Sequence, residues 1–169
     1  MCPPVVGEPL SIAVLTISDT RTPADDRSGD LLVERLTAAG HRLAARALVT
    51  DDRYAIRAQV SQWIADPQIE VVLCTGGTGF GPRDVTPDAL RPLFDVEVEG
   101  FGELFRQRSA QEIGSSTVQS RAVAGLANRT LVCALPGSPG ACRLGWDAVL
   151  GDQLDAGHRP CNFVALLRR

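Results

Sequence analysis

Residues 71–84 read VVLCTGGTGFGPRD, and the change of character at position 76 decides the fold. Val71 to Thr75 is a short, unbroken apolar run, the pattern of a parallel strand buried on both faces. Glycine then takes over at Gly76, Gly77, Gly79 and Gly81, and Thr86-Pro-Asp follows with an N-cap, a first-turn proline and a first-turn acid. The stretch therefore predicts a buried strand, a side-chain-poor turn and a helix over 86–94.

Working outward, the same alternation repeats. Upstream, LSIAVLTIS over 10–18 reads as a strand, and the polar stretch 19–28 ends at Ser28, which can cap a helix carrying Leu32, Leu36 and Ala39. Gly40 stands where a helix terminus favours glycine, with His41 read as a helix-terminus residue, and a second strand is expected over 42–49. Asp51 precedes DRYAIRAQVSQWIAD, whose Ile56, Val60, Trp63 and Ile64 make one apolar face, and Pro67 stops that helix. Downstream, a helix is expected over 101–113 and a strand over 130–135. A final helix then carries Trp146, Val149, Leu150 and Leu154. SSTVQSRAVAGLAN, over 115–128, mixes strand-like and helix-like pieces and is assigned to neither. Strand and helix in alternation predict a three-layer α/β domain, a mostly parallel sheet with helices on both faces.

The chain has 169 residues, 44% hydrophobic and 22% charged. At ~100–200 residues per domain this predicts one domain over 10–169, with residues 1–9, three prolines and a glycine without period, as an N-terminal arm. A formal charge of -3 gives no electrostatic case for nucleic acid. No apolar run approaches the length of a membrane span, and the start lacks a signal-peptide pattern, so no membrane partner and a cytoplasmic location are expected. Five cysteines without a C-x-x-C suggest neither a disulfide framework nor zinc, and Cys74 and Cys133, inside apolar runs, read as packing residues.

Ligands of open α/β sheets bind beyond the carboxyl ends of the strands, and three such places are unusual here. Thr75, Gly76, Gly77, Thr78 and Gly79 form a turn whose backbone N–H groups can converge on an anion, phosphate above all, though a plain turn has the same composition. Pro82 and Arg83 stand where a P-loop needs Lys and Ser or Thr, and no G-x-G-x-x-G fits, which argues against a Walker ATPase and a Rossmann dehydrogenase. Asp84 beside a phosphate loop makes sense if a cation, typically Mg²⁺, lies between; otherwise it is a surface acid paired with Arg83. Asp51-Asp52 follows the second strand, where aspartate is also an ordinary N-cap. Leu135-Pro-Gly-Ser-Pro-Gly exposes Ser138 at a helix start, as a cap or an anion ligand, without the G-x-S-x-G of a hydrolase. Neither His41 nor His158 lies in these loops, but phosphate chemistry needs alignment and charge neutralisation more than a histidine base.

Seven segments together resemble the molybdenum-cofactor biosynthesis family that includes MoaB and MogA, with related domains in plants and in animal gephyrin. They are TISDTRT (16–22), DRSGDLL (26–32), VTDD (49–52), TGGTGFGPRDVTPDAL (75–90), VEGFGELFRQRS (98–109), QSRAVAG (119–125) and LPGSPGAC (135–142). The tail LDAGHRPCNF (154–163) is similar to the MoaB branch. The resemblance implies a molybdopterin-binding fold assembled as trimers or hexamers. It also implies reaction of Mg-ATP with molybdopterin to give adenylyl-molybdopterin and pyrophosphate. By the same resemblance Asp51 and Asp84 are the catalytic, metal-holding acids, with Mg²⁺ as the metal and Arg83 assisting electrostatically. Thr75, Gly76, Gly77, Thr78, Gly79, Ser120, Gly137, Ser138 and Pro139 then bind pterin phosphate or nucleotide. QSR keeps the serine and arginine of the family's LSR but not its leucine. The alternatives are a non-catalytic molybdopterin-binding or assembly protein of the same pathway, and a nucleotide-responsive scaffold with other pathway proteins as partners. Phe80, Phe101 and Phe105 are read as core residues or subunit contacts.

Overall fold

The computed structural model describes residues 7–168. Of the arm expected over 1–9, residues 1–6 lie outside the described residues. Six strands, β1 (Ser11–Ile17), β2 (Arg42–Val49), β3 (Val71–Thr75), β4 (Val96–Glu97), β5 (Val123–Ala127) and β6 (Thr130–Leu135), form one sheet in the order β2-β1-β3-β6-β5-β4. β1 pairs in parallel with β2 and β3, and β3 with β6. β5 runs antiparallel to β6 and to β4.

Strand residues alternate between two cores because successive side chains point to opposite faces. Ile12, Val14, Val71, Leu73, Leu131, Cys133 and Leu135 pack with α1 (Arg27–Ala38), α4 (Glu99–Ile113) and α5 (Pro139–Gly145). Ala13, Leu15, Ile17, Val72, Cys74, Val132 and Ala134 pack with α2 (Arg53–Ala65) and α3 (Thr86–Leu90). Every residue of β3 and β6 is buried, which is why their sequences are apolar without alternation. The three-layer α/β reading and the packing role of Cys74 and Cys133 hold. Phe101 and Phe105 are core residues, whereas Phe80 is 68% exposed.

Two expected helix caps are corrected, and a third is resolved to one residue of a pair. Asp26, not Ser28, caps α1, its Oδ1 accepting from Gly29 N at 3.0 Å, while Ser28 Oγ donates to the Gly137 carbonyl at 2.8 Å. Of the pair Asp51-Asp52, it is Asp52 that caps α2, its Oδ1 accepting from Tyr54 N and Ala55 N at 3.0 and 2.7 Å. Thr86 is already inside α3, whose cap position is Val85, and its hydroxyl donates to the Gly76 carbonyl at 2.7 Å. Ser138 caps α5 as expected, accepting from Ala141 N at 3.1 Å. Turns of π-helix at Trp146–Leu150 and α-helix at Gly151–Gln153 continue α5, with Trp146 and Leu150 sealed in the core.

α1 closes by two hydrogen bonds, His41 N to the Leu36 carbonyl and Gly40 N to the Thr37 carbonyl, both at 2.9 Å. This Schellman closure carries the His41 ring into the core, where only 5% of the residue is exposed. Its Nδ1 accepts from Leu10 N at 3.1 Å, its ring stands edge-on to Trp146 at 6.2 Å, and its Nε2 has no partner among the described residues. Burial, aided by the charge of Arg168, pushes its pKa down from 6.5 to about 4. The folded state therefore prefers the neutral ring. The stability this secures is complete above pH 6.5 and is lost as pH falls from 6.5 to about 4. On the order of 3 kcal/mol is at stake. Urea denaturation of wild type and His41→Gln at pH 7 and pH 4 should show a gap that shifts toward the variant in acid; a gap independent of pH would refute the assignment.

No helix among the described residues is long and apolar enough to cross a membrane.

Candidate functional site

The chain leaves β1, crosses through α1 to β2 on one side, and returns through α2 to β3 on the other. Such a reversal opens a crevice beyond the carboxyl ends of β1 and β3. A cleft of about 470 Å³ lies there. β1 contributes Thr16 to Ser18, β2 is followed by Asp51, β3 runs into Gly76 to Gly79 and then Asp84, and β6 leads to Gly137 and Ser138. Because β5 is antiparallel, it begins where β6 ends, and so the residues entering it, Ser120 among them, reach the same rim. Phe105, Ser109 and Ile113 of α4 form another wall. Of the residues proposed from sequence, Pro139, in the first turn of α5, and Arg83 are outside the lining.

The glycine turn bonds its carbonyls within the protein and leaves three of its amides without a partner among the described residues. Gly76 has φ +109°, and a Cβ there would meet the Ile17 carbonyl at 2.1 Å; Gly77 has φ +68°, with Thr86 Oγ1 2.4 Å from the same imagined atom. Gly76 N continues the ladder by donating to the Leu135 carbonyl at 2.9 Å, and Thr75 Oγ1 ties the loop to the Pro136 carbonyl at 3.0 Å. Each carbonyl from 76 to 79 accepts from the protein: Gly76 from Thr86 Oγ1, Gly77 from Thr86 N, Thr78 from Arg121 N and Gly79 from Arg121 Nε. The amides of Gly77, Thr78 and Gly79 donate to no acceptor among the described residues. Carbonyls are thus turned into the protein, and three N–H groups are left for a ligand, the arrangement that suits an anion.

Asp51 and Asp84 line this cleft together. Asp51 Oδ2 accepts from Asp19 N at 2.8 Å and Asp84 Oδ2 from Gly81 N at 2.8 Å, while the Oδ1 of each has no hydrogen-bond donor among the described residues. Partial burial, then the charges of Asp19 and Asp84, raise the pKa of Asp51. Among the described residues no group of three or more His, Cys, Asp or Glu makes a ready-made metal cage. Two carboxylates with free oxygens beside an anion cradle nevertheless fit Mg²⁺, which is commonly held by one or two carboxylates, water and substrate phosphate.

The alternative reading of Asp84, a surface acid paired with Arg83, does not hold. Arg83 instead grips Asp19 with two bonds, Nε to Oδ2 at 2.9 Å and Nη2 to Oδ1 at 3.0 Å, which lower the pKa of Asp19. Asp19 also accepts from Asp51 N at 3.0 Å, so the loops after β1, β2 and β3 are tied together at one carboxylate. Sequence reading gave no role to Asp19, Asp26 or Arg121, although each stands in one of the quoted segments, since an isolated acid or arginine in a loop carries no periodic signal.

The family described as "Probable molybdopterin binding domain" matches residues 13–156, which contain every element of this cleft. The chain belongs to the molybdopterin-binding domain family. Molybdenum cofactor biosynthesis protein B of Escherichia coli K12 is 55% identical over 161 residues, 95% of each chain. A crystal structure of a molybdenum cofactor biosynthesis protein B superposes with a TM-score of 0.85 at 43% identity, covering 87% of this chain and 92% of that one. The tungsten cofactor synthesizing protein MoaB of Pyrococcus furiosus superposes with a TM-score of 0.73 at 32% identity, over 87% and 94% of the two chains. The molybdopterin-binding fold expected from the sequence motifs is therefore the fold of this chain.

Proposed function

We propose that this cleft binds molybdopterin and Mg-ATP and transfers the adenylyl group to the pterin phosphate. The role in molybdenum-cofactor biosynthesis follows from membership of the family and from the near full-length relative in Escherichia coli. The adenylyl transfer rests above all on one observation, that Gly77, Thr78 and Gly79 line the cleft with amides bonded to no acceptor among the described residues, beside two carboxylates with free oxygens. In the reaction a molybdopterin phosphate oxygen attacks the α-phosphorus of ATP, the bond to the bridging oxygen breaks, and pyrophosphate leaves with that electron pair. The amides hold and orient phosphate oxygens, and Ser120, Gly137 and Ser138 border the space for the rest of the ligands. Asp51 and Asp84 would hold Mg²⁺, which supplies neutralisation of the phosphate charge. No histidine lines the cleft, and none is needed, since the attacking phosphate is already anionic. Residues 10–169 acting as one domain, a trimeric or hexameric assembly and a cytoplasmic location belong to the same reading.

Purified protein given molybdopterin and Mg-ATP should release pyrophosphate, and Asp84→Ala should do so more slowly by roughly tenfold or more. Equal release from both proteins would reject the assignment. Binding of molybdopterin without turnover would identify the non-catalytic alternative instead.

A further inference from the structure

Arg121 does not line the cleft, yet it touches the glycine loop at more points than any other side chain among the described residues. Its own amide donates to the Thr78 carbonyl at 2.9 Å. From the guanidinium, Nε donates to the Gly79 carbonyl at 3.0 Å and Nη2 to the Asp84 carbonyl at 2.7 Å. Its plane lies over the Phe80 ring, 5.3 Å from the centroid. Nη1 is steered by the Asp88 carboxylate at 3.3 and 3.2 Å. One planar cation thus spans the segment from Thr78 to Asp84, fixing both the peptide that precedes Phe80 and the backbone of the cleft acid. The guanidinium meets the two carbonyls and the carboxylate from three separate nitrogens in a fixed plane, whereas the three N–H groups of a lysine ammonium radiate from one atom on a flexible stem. The antiparallel turn of the chain into β5 delivers this residue to the rim where β3 and β6 end, so its position follows from the topology.

We propose that Arg121 is a positioning residue. It holds residues 78–84 with the amides of Gly77 to Gly79 turned to the cleft and Asp84 at its edge. The proposal rests on reading those amides as an anion cradle.

The test compares wild type, Arg121→Lys and Asp88→Asn in the full-length protein by amide hydrogen exchange and by titration with inorganic pyrophosphate. In Arg121→Lys, exchange of the bonded amides of Gly81, Asp84 and Thr86, which donate to Asp84 Oδ2, the Gly81 carbonyl and the Gly77 carbonyl, should quicken at least roughly tenfold while β3 and β6 keep wild-type rates, and pyrophosphate should bind at least roughly tenfold more weakly. Lysine retains the charge, so a role limited to charge balance would be rescued by it. Asp88→Asn, which leaves the fork in place and guards against misfolding of the first variant, should move the same amides in the same direction by less. Wild-type exchange in the loop of both variants overturns the proposal. So does unchanged pyrophosphate affinity in Arg121→Lys when wild type binds the anion. A wild type that binds no pyrophosphate fails at the cradle itself, before Arg121 enters.

Discussion

Gly76→Ala is expected to lower stability by about 4 kcal/mol or more, read as the change in unfolding free energy by urea denaturation at pH 7. Two costs add. At φ +109° an L side chain is strained, by roughly 1–3 kcal/mol. The new methyl would also sit 2.1 Å from the Ile17 carbonyl oxygen, and that atom cannot retreat, because β1 is held through Ile17 and Thr16 to β2 on one side and β3 on the other. Gly140→Ala is the control. Its Cβ would meet nothing within 4 Å in the first turn of α5, so a neutral or slightly stabilising change, up to about 1 kcal/mol, is expected there. A Gly76→Ala protein within about 1 kcal/mol of wild type would mean that the loop has a second, glycine-independent conformation.

That contrast also explains what the sequence revealed. VVLCT followed by GG could be read because a buried parallel strand and a turn that admits no Cβ each leave a compositional mark, and the four parallel strands lie within a residue of their expected bounds. The stretch 115–128 could not be read, and the reason is specific. A 3₁₀ segment, Gly114–Gln119, precedes β5, and the hairpin into β6 turns through Asn128 and Arg129 with φ of 49° and 64°. A turn with two positive φ angles normally announces itself by glycine at its second position; here arginine occupies it, and the signal is lost. Without that hairpin the antiparallel strand is invisible, and with it the path that brings Ser120 to the cleft and Arg121 against the glycine loop. The acids behaved similarly. Asp51 and Asp84 stood out by their place after strands, but capping belongs to Asp52, and the partner of Arg83 is Asp19, 64 positions away, which no local pattern encodes.

The largest side-chain effect is expected at Asp26, which is 3% exposed and joins three elements. Its Oδ2 accepts from Thr16 Oγ1 at 2.6 Å and from Arg46 Nη2 at 3.0 Å, and its Oδ1 caps α1 through Gly29 N at 3.0 Å. The carboxylate packs against Gly29, where a Cβ would come within 2.2 Å of Oδ2, so the glycine of DRSG leaves room for the acid. Asp26→Ala removes a cap, about 1 kcal/mol, and leaves the buried Thr16 hydroxyl without its charged acceptor, about 1.5–3 kcal/mol. Arg46 keeps Asp30 at 2.7 Å and adds little to the loss. A destabilisation of about 3 kcal/mol is therefore expected in urea denaturation. Thr16→Val, which removes only the donor, should cost about 1 kcal/mol, and the double variant should cost less than the sum of the two, because both delete one bond. Strict additivity would show that the 2.6 Å contact contributes nothing to stability. The coupling also bears on the cleft, since Thr16 and Asp26 both line it: the pair ties the end of β1, which adjoins the glycine loop, to the start of α1.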